Sequence, residues 1–580
     1  MIFIFLTKRP NMKTIYIQFF LLLFMQLSIA QKQIILNADG NYKVIDANIQ
    51  SNRDSLSPQI EGFPFGMPCN PTFKNMRNLT LCDLNFDGKD EIIVAIDNTL
   101  LVLSDTGVVW QKNIIGTAVY PPSVADINGD GNYEIVIATG GVPASGRITA
   151  FDHLGNILPG WPVNYNNHWI QCSPVLADLD MDGKLEIIFC ERTASAGNIR
   201  VLKHDGSEFG GNWPQLLDAY PAVTPSVGDI NNDGFPEIVA FSTQSKYVFD
   251  RWGNMQNPFP QLTGPQQKYS YQSPILVDLD GNQNFEICGA AHGENPEYFV
   301  ISNLGTDYSA WPISVPGGDW TYSTPTVVEI NGEKIIFMGK PVGSSPDSML
   351  FAFHSDGSLL DGFPIVKEGG VEGVICVADA DNDGEFDVIF GSNMTDSNGN
   401  GYIHAYSIQN PIELIGFPLR MKGFTYMNGP ALGDVDGDGM LDIVALSYTQ
   451  NFGAGIDSIF INVFNLGVEF MNNNPLWTTY KGSNTRTGYF PEFAQTVFDQ
   501  SILDFKVFPN PCSDILHIQS NTEIEISQLE IFDVYGKLLY NRSDMPLNEI
   551  DIRFLKEAYY ILNIHLKQGN SYRLPFIVIR

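Results

Sequence analysis

Positive charge is scarce in this chain. Only 33 lysines and arginines stand against 65 aspartates and glutamates in 580 residues, a formal charge of −32. So few cations cannot lay the basic footprint that a phosphate backbone requires, which excludes nucleic-acid binding. The surplus carboxylates call for a counter-charge, and metal ions are the first candidates. Long apolar runs are missing after residue 30, so no membrane-spanning helix is expected there. No G-x-S-x-G, H-E-x-x-H or P-loop occurs. The eight histidines are scattered; His153, His204, His354 and His404 fall in or beside repeated strand-like segments and read as surface or turn residues. Seven cysteines, an odd number with no C-x-x-C, read as small buried side chains and not as a disulfide framework.

Turn residues and aromatics are plentiful. There are 53 glycines, 35 prolines and 12% aromatics, against 17% charged residues. That balance favours many short strands. At the start, Lys8, Arg9 and Lys13 precede an apolar run from Ile15 to Leu27 that ends in Ser28-Ile29-Ala30, the pattern of a secretory signal peptide over residues 1–30. Met12 offers an alternative start. Loss of those three positive charges would take −32 to −35.

One unit then recurs about every fifty residues. Its clearest copies are CDLNFDGKDEIIVA, ADINGDGNYEIVIA, ADLDMDGKLEIIFC, GDINNDGFPEIVAF, ADADNDGEFDVIFG and GDVDGDGMLDIVAL, beginning their acidic runs at Asp83, Asp126, Asp178, Asp229, Asp379 and Asp434. A weaker copy starts at Asp278 and a vestige, VEINGEKIIFMG, at Glu329. After each loop come alternating apolar residues, a turn glycine (Gly107, Gly155, Gly206, Gly253, Gly305, Gly357) and an aromatic–proline pair such as Trp161-Pro162. Four short strands per unit make a propeller blade, and a parallel solenoid would repeat in shorter steps. The expected fold is all-β: a seven- or eight-bladed β-propeller, eight favoured. The segment Gln31–Pro64, which ends in its own Phe63-Pro64, is expected to lend the last blade a strand and close the ring.

The loops read D-x-[DN]-x-D-G-x-x-[DE]. Position 1 is Asp83, Asp126, Asp178, Asp229, Asp278, Asp379 and Asp434; position 3 is Asn85, Asn128, Asp180, Asn231, Asp280, Asp381 and Asp436. Position 5 is Asp87, Asp130, Asp182, Asp233, Asn282, Asp383 and Asp438, and position 9 is Glu91, Glu134, Glu186, Glu237, Glu286, Asp387 and Asp442. Position 7 offers a backbone carbonyl from Lys89, Asn132, Lys184, Phe235, Glu385 or Met440. Hard oxygens in that number suit Ca²⁺. An EF-hand needs a glutamate at position 12, where this chain has Val94, Ile137, Phe189, Ala240, Phe390 or Ala445. By charge the third loop should bind most tightly. The fifth should bind less well, because Asn282 and Gln283 replace the acid and the turn glycine.

These loops, with lead-ins such as SPVLADLD and TPSVGDI, resemble the FG-GAP (VCBS-type) repeats of the integrin alpha-subunit propeller over about residues 65–490. The resemblance implies structural Ca²⁺ at Asp83, Asn85, Asp87 and Glu91 and at their counterparts.

Past Trp477–Phe490 the pattern stops. Residues 491–502 read as a linker, and 503–580 as a seven-strand Ig-like β-sandwich. Pro509, Asn510, Pro511, Asp514, Leu516, Ile518, Asp533, Gly536, Tyr559 or Tyr560 and Arg580 resemble the type A C-terminal sorting domain of the type IX secretion system of Bacteroidota. The family has a glycine where Ala558 stands, and Pro575 is expected to interrupt the last strand. The resemblance implies export by that machinery, its partner, to the medium or outer-membrane surface of a Gram-negative Bacteroidota bacterium. The leading function is a Ca²⁺-stabilised binder of glycan or protein. The rival is a Ca²⁺-dependent polysaccharide lyase, whose site would need Arg or Lys beside His or Tyr in the central cleft. The aromatic insertions Asn164–Gln171 and Gly317–Ser323 would form a mouth or cap blades.

Overall fold

The computed structural model describes residues 56–490 apart from 70–76, 141–144, 194–195, 222, 263–266, 270, 317–320, 341–342, 450–456 and 471–476. It also describes 505–579 apart from 510–511, 521–525, 534–537, 544–548, 557 and 567–570, and three short strands before residue 56. Those strands, Tyr16–Ile17, Lys32–Leu36 and Tyr42–Asp46, pair antiparallel within the unit of residues 1–58. Apart from Tyr16–Ile17, the signal segment lies outside the described residues, as do the linker, Gly536, Asn510 and Pro511.

From residue 59 the chain is all-β. Sheet 1 is Thr80–Cys82, Glu91–Ile96, Thr99–Ser104 and Gly107–Asn113, in sequence order and antiparallel throughout. Seven more sheets follow the same plan. Their first strands are Ser123–Ala125, Val175–Ala177, Ser226–Gly228, Ile275–Val277, Thr326–Ile330, Ile375–Ala378 and Pro430–Gly433. Each first strand touches the next, and the last touches the first, so the sheets stand round a closed ring. The second strands, largely apolar, are buried throughout in sheets 1, 2 and 4, as expected between two packed neighbours.

The aromatic–proline pair sits where the chain turns into the fourth, outermost strand, as with Trp161-Pro162 before Val163–Asn166. An edge strand tolerates proline because one row of its N–H groups has no partner strand. The indoles tie neighbours together: Trp110, Trp161, Trp213 and Trp311 each donate Nε1–H to a backbone carbonyl in the third-to-fourth-strand turn of the next sheet, at His153, His204, Arg251 and Ser355, over 2.9–3.1 Å. The ring closes through Phe65–Cys69, which pairs with Asp457–Glu469 as the fourth strand of sheet 8. This corrects the expectation for Gln31–Pro64. The strand follows Phe63-Pro64, as the fourth strands of sheets 2 to 7 follow their pairs.

A second closure lies at the hub. The segment Trp477–Phe490 winds once around the inside of the ring and bonds to the first strands of seven sheets. Trp477 exchanges backbone hydrogen bonds with Val377; the carbonyls of Thr478, Asn484, Thr485, Thr487 and Gly488 accept from the N–H groups of Leu432, Val124, Leu176, Val227 and Leu276. Asn484 Nδ2 donates to the Leu81 carbonyl over 2.6 Å, and Tyr489–Phe490 lies parallel to Leu276–Val277. This strap fills the channel.

Two buried cations hold the strap. Arg486 donates to Thr80 Oγ1, Thr479 Oγ1 and the carbonyls of Pro122, Tyr480 and Ser483. Lys481 serves a gap in a repeated tie. Thr80, Ser123 and Ser226, each three residues before a loop's first acid, donate their hydroxyls to the carbonyls of Pro122, Pro174 and Pro274 of the following sheet. Val175 holds that position in sheet 3 and has no hydroxyl, and the Lys481 ammonium takes the Pro225 carbonyl instead, with Ser226 Oγ at 2.7 Å.

The tail has seven strands in two sheets: Phe505–Phe508, Ile515–Ser520 and Glu549–Asp551 in one, Ile526–Asp533, Leu538–Arg542, Ala558–Leu566 and Ser571–Val578 in the other. Pro575 does not interrupt the last strand. It lies opposite Ile561 on an edge strand, where no N–H is needed outward. The seven cysteines are free, and six are buried. His404 departs from the surface reading. It is 1% exposed, with Nδ1 2.5 Å from Glu413 Oε1 and 2.8 Å from Lys367 Nζ.

Candidate functional site

The acidic loops join the first strand to the second in sheets 1 to 5, 7 and 8. Position 1 anchors each: its carboxylate accepts N–H bonds from positions 5 and 6 in most copies, as Asp83 does from Asp87 (3.0 Å) and Gly88 (2.8 Å). The position-5 side chain accepts from the N–H of position 7, so Lys89, Asn132, Lys184, Phe235, Glu385 and Met440 enter as backbone donors. The position-9 acid reaches back to the N–H of position 2, as Glu91 does to Leu84 and Asp442 to Val435. Burial pushes these carboxyls up, to about 7 for Glu91, Glu134, Glu186, Glu286, Asp387 and Asp442 and about 8 for Glu237.

Two features escaped the sequence reading. Position 4 is left-handed as well as position 6, at Phe86, Met181, Asn232 and Asn382 with φ of 58–62° and at glycines elsewhere. Position 3 divides the loops into two classes. Where it is asparagine (Asn85, Asn128, Asn231), its amide donates to the position-9 glutamate at 2.9, 3.1 and 2.9 Å, so the loop supplies its own partner. Where it is aspartate no such donor exists. The ligand oxygens of Asp178, Asp180 and Glu186, of Asp278, Asp280 and Glu286, of Asp379, Asp381 and Asp387, and of Asp434, Asp436 and Asp442 lie within 4.8 Å of one another. Oxygens sharing one Ca²⁺ at about 2.3–2.6 Å can stand no farther apart than about 5 Å. In two of these groups a buried oxygen, Asp180 Oδ1 or Asp442 Oδ1, has no hydrogen-bond partner among the described residues. The donor set fits a hard divalent cation.

The fifth loop belongs with the tight groups, although Gln283 holds φ at +67° where its counterparts are glycine. The vestige in sheet 6 is a two-residue hairpin turn at Asn331-Gly332, with Glu329 3.5 Å from Lys334 Nζ.

The segments leading into the first strands surround the channel mouth. Arg77 spans it, fully buried. Its N–H binds the Met427 carbonyl, and its guanidinium donates to the carbonyls of Glu372 (2.6 Å), Tyr271 (2.5 Å) and Tyr322. The rings of Tyr271 and Tyr322 meet at 5.4 Å and 86°, and His292 lies 5.4 Å from Tyr322. Asn164–Gln171 divides between the fourth strand of sheet 2 and a short strand, Trp169–Ile170, added to sheet 3. Arg192 stacks between Trp169 and Tyr220 at 5.0 and 4.1 Å from their centroids. An arginine, tyrosines and a histidine do converge here, as a lyase would need, but Arg77 is a tie between backbones.

A secretion system C-terminal sorting domain matches residues 506–578, and an FG-GAP-like repeat matches residues 178–240. The protein carries an FG-GAP-like repeat within its ring of sheets and a secretion sorting domain at its tail. The sorting tail implies a secreted or cell-surface protein that meets the type IX machinery. Among the described residues no helix is long and apolar enough to cross a membrane. No curated protein matches the FG-GAP chain in sequence. Among solved structures it is weakly similar to the Vibrio cholerae biofilm matrix protein Bap1 (14% identity, TM-score 0.33, 88% of each chain). It is also weakly similar to the Dos1 propeller (10%, 0.38, 70% of this chain and 96% of that) and to the BP39L lectin of Burkholderia pseudomallei (11%, 0.40, 62% and 98%). Scores this low say nothing of ligand or activity.

Proposed function

We propose that residues 59–490, within the span 31–490 expected from the sequence, form an eight-bladed propeller whose acidic loops hold Ca²⁺, and that this propeller binds a glycan or protein outside the cell. Residues 1–30 serve as its signal peptide, 491–502 as a linker and 503–580 as an Ig-like export address read by the type IX machinery of a Bacteroidota bacterium. The eight blades rest on the eight sheets. The metal reading rests on four carboxylate groups drawn within 4.8 Å with two buried oxygens lacking partners. Like charges at that spacing repel, and a shared divalent cation reverses the sign of the interaction.

Binding is favoured over lyase chemistry by one observation. Arg77, the cation at the mouth, has its guanidinium turned onto three backbone carbonyls and is 0% exposed, so it cannot neutralise a substrate carboxylate.

The position-3 division sets the expected stoichiometry. Metal analysis after Ca²⁺ loading and desalting should find about four tightly held ions, in the third, fifth, seventh and eighth loops. Asn128→Asp should add one more, by removing the internal donor and supplying a charge. A count that tracks all seven loops equally would show that position 3 does not decide occupancy.

The tail makes a separate test. Deleting residues 503–580 should leave a folded ring in the periplasm. Normal arrival of that truncated chain at the surface would refute the address reading.

A further inference from the structure

The mouth cluster has a chemistry of its own. Tyr271, Tyr322 and Tyr426 come from the lead-ins of sheets 5, 6 and 8, and the buried Glu372 from that of sheet 7. Arg77 draws the Tyr271 and Tyr322 carbonyls inward, which leaves both rings at the rim, half-buried and almost perpendicular. Tyr271 holds φ at +71°, a left-handed conformation unusual for a bulky side chain and kept here by the Arg77 tie. Tyr426 completes the rim and is 37% exposed.

The mouth is shallow. Beneath Arg77 the cavity lined by Thr324, Val374, Trp477, Tyr480 and Lys481 offers about 10 Å³, room for a single water, because the strap occupies the channel. A ligand must therefore lie across the rim. The rim offers ring faces, phenol hydroxyls and little positive charge. Arg77 is engaged by carbonyls, and Arg192 is sandwiched by aromatics and bonded to Gln171 Oε1. His292 is buried, which pushes its imidazole down to about 4 and keeps it neutral. One exposed cation, Lys268, stands near His292, set against Glu372 and a chain charge of −32.

We propose that the Tyr271–Tyr322–Tyr426 rim is a binding site for a neutral sugar residue of a glycan, stacked on the tyrosine faces. A pyranose presents C–H faces to a ring and hydroxyls around its edge, and an amphipathic tyrosine corner meets both. A uronate would need more positive charge than Lys268 supplies, the cation that stands exposed near His292 among the described residues and is set against Glu372. The proposal rests on the binder reading and gives it a place and a ligand class.

The test uses the purified full chain with neutral hexaoses (cello-, manno-, laminari- and maltohexaose) and with oligogalacturonate and oligomannuronate hexamers, by titration calorimetry. At least one neutral hexaose should bind. Tyr271→Ala and Tyr426→Ala should each weaken it tenfold or more with the melting temperature unchanged, since the Arg77 tie uses the Tyr271 carbonyl and not its ring. Tyr271→Phe should retain most of the affinity. Phe86→Ala, in the acidic loop of sheet 1, should bind as the parent does. Tighter binding of the uronates, lost in Lys268→Ala, would overturn the neutral-sugar assignment. Neutral binding that survives both alanine variants would remove the site and leave the binder reading standing. If no saccharide of either class binds, the site falls together with the glycan half of that reading.

Discussion

Chelating divalent cations is expected to lower the melting temperature of the ring by on the order of 10 °C. A ligand that binds only the folded state at a hundred times its dissociation constant adds about 2.7 kcal/mol, and four such sites are expected. For a domain of this size that sum corresponds to a shift of roughly ten degrees or more. Four ions would also take the formal charge from −32 to −24 and relieve repulsion in the loops that lack an internal donor. Added Ca²⁺ should restore the melt. Mg²⁺ should do so poorly, because it demands near-octahedral geometry and gives up its waters reluctantly. A melt that ignores the chelator removes the metal reading altogether.

Arg486→Met should cost the ring about 4 kcal/mol in a denaturant titration. The side chain is 0% exposed, and burial pushes its guanidinium down to about 9. It nevertheless serves five acceptors, two of them, Thr80 Oγ1 and the Pro122 carbonyl, on sheets 1 and 2. Methionine fills much of the volume but strands buried oxygens, each worth about 1–3 kcal/mol when left unpaired. Arg251→Met is the comparison. Arg251 lies over Phe235 at 3.6 Å on a partly exposed turn, and should change stability by less than about 1 kcal/mol. Equal losses at the two positions would mean that the strap does not hold the hub.

The periodic part of the fold was legible in the sequence because it obeys local rules. Acids at alternate positions, a glycine at position 6 and a proline after an aromatic each follow from a turn or an edge, and each recurs in register. The strap was not legible, because its chemistry inverts the pattern. Nothing local marks Lys481 and Arg486 for burial, yet both are buried, Lys481 against the Pro225 carbonyl more than 250 residues away. His404 misled for the same reason, since Glu413 and Lys367 accompany it inside. The closing strand was misplaced by a few residues, although Phe63-Pro64 already marked where it begins. The two loop classes were written in the sequence at position 3. What they mean depends on whether the asparagine amide reaches the glutamate, and only the folded loop decides that.

The strap also gives the ring a direction of mechanical weakness. Its ties run in chain order around the hub, from Val377 opposite Trp477 to Val277 opposite Phe490. Tension applied from the tail side reaches residue 490 first and loads these bonds one after another, as in unzipping. Tension from the other end meets the five-residue pairing of Phe65–Cys69 with Asp457–Ile461, an outer strand loaded along its length, in shear. The same ring should therefore yield at low force when drawn by its C-terminal side and resist when drawn by its N-terminal side.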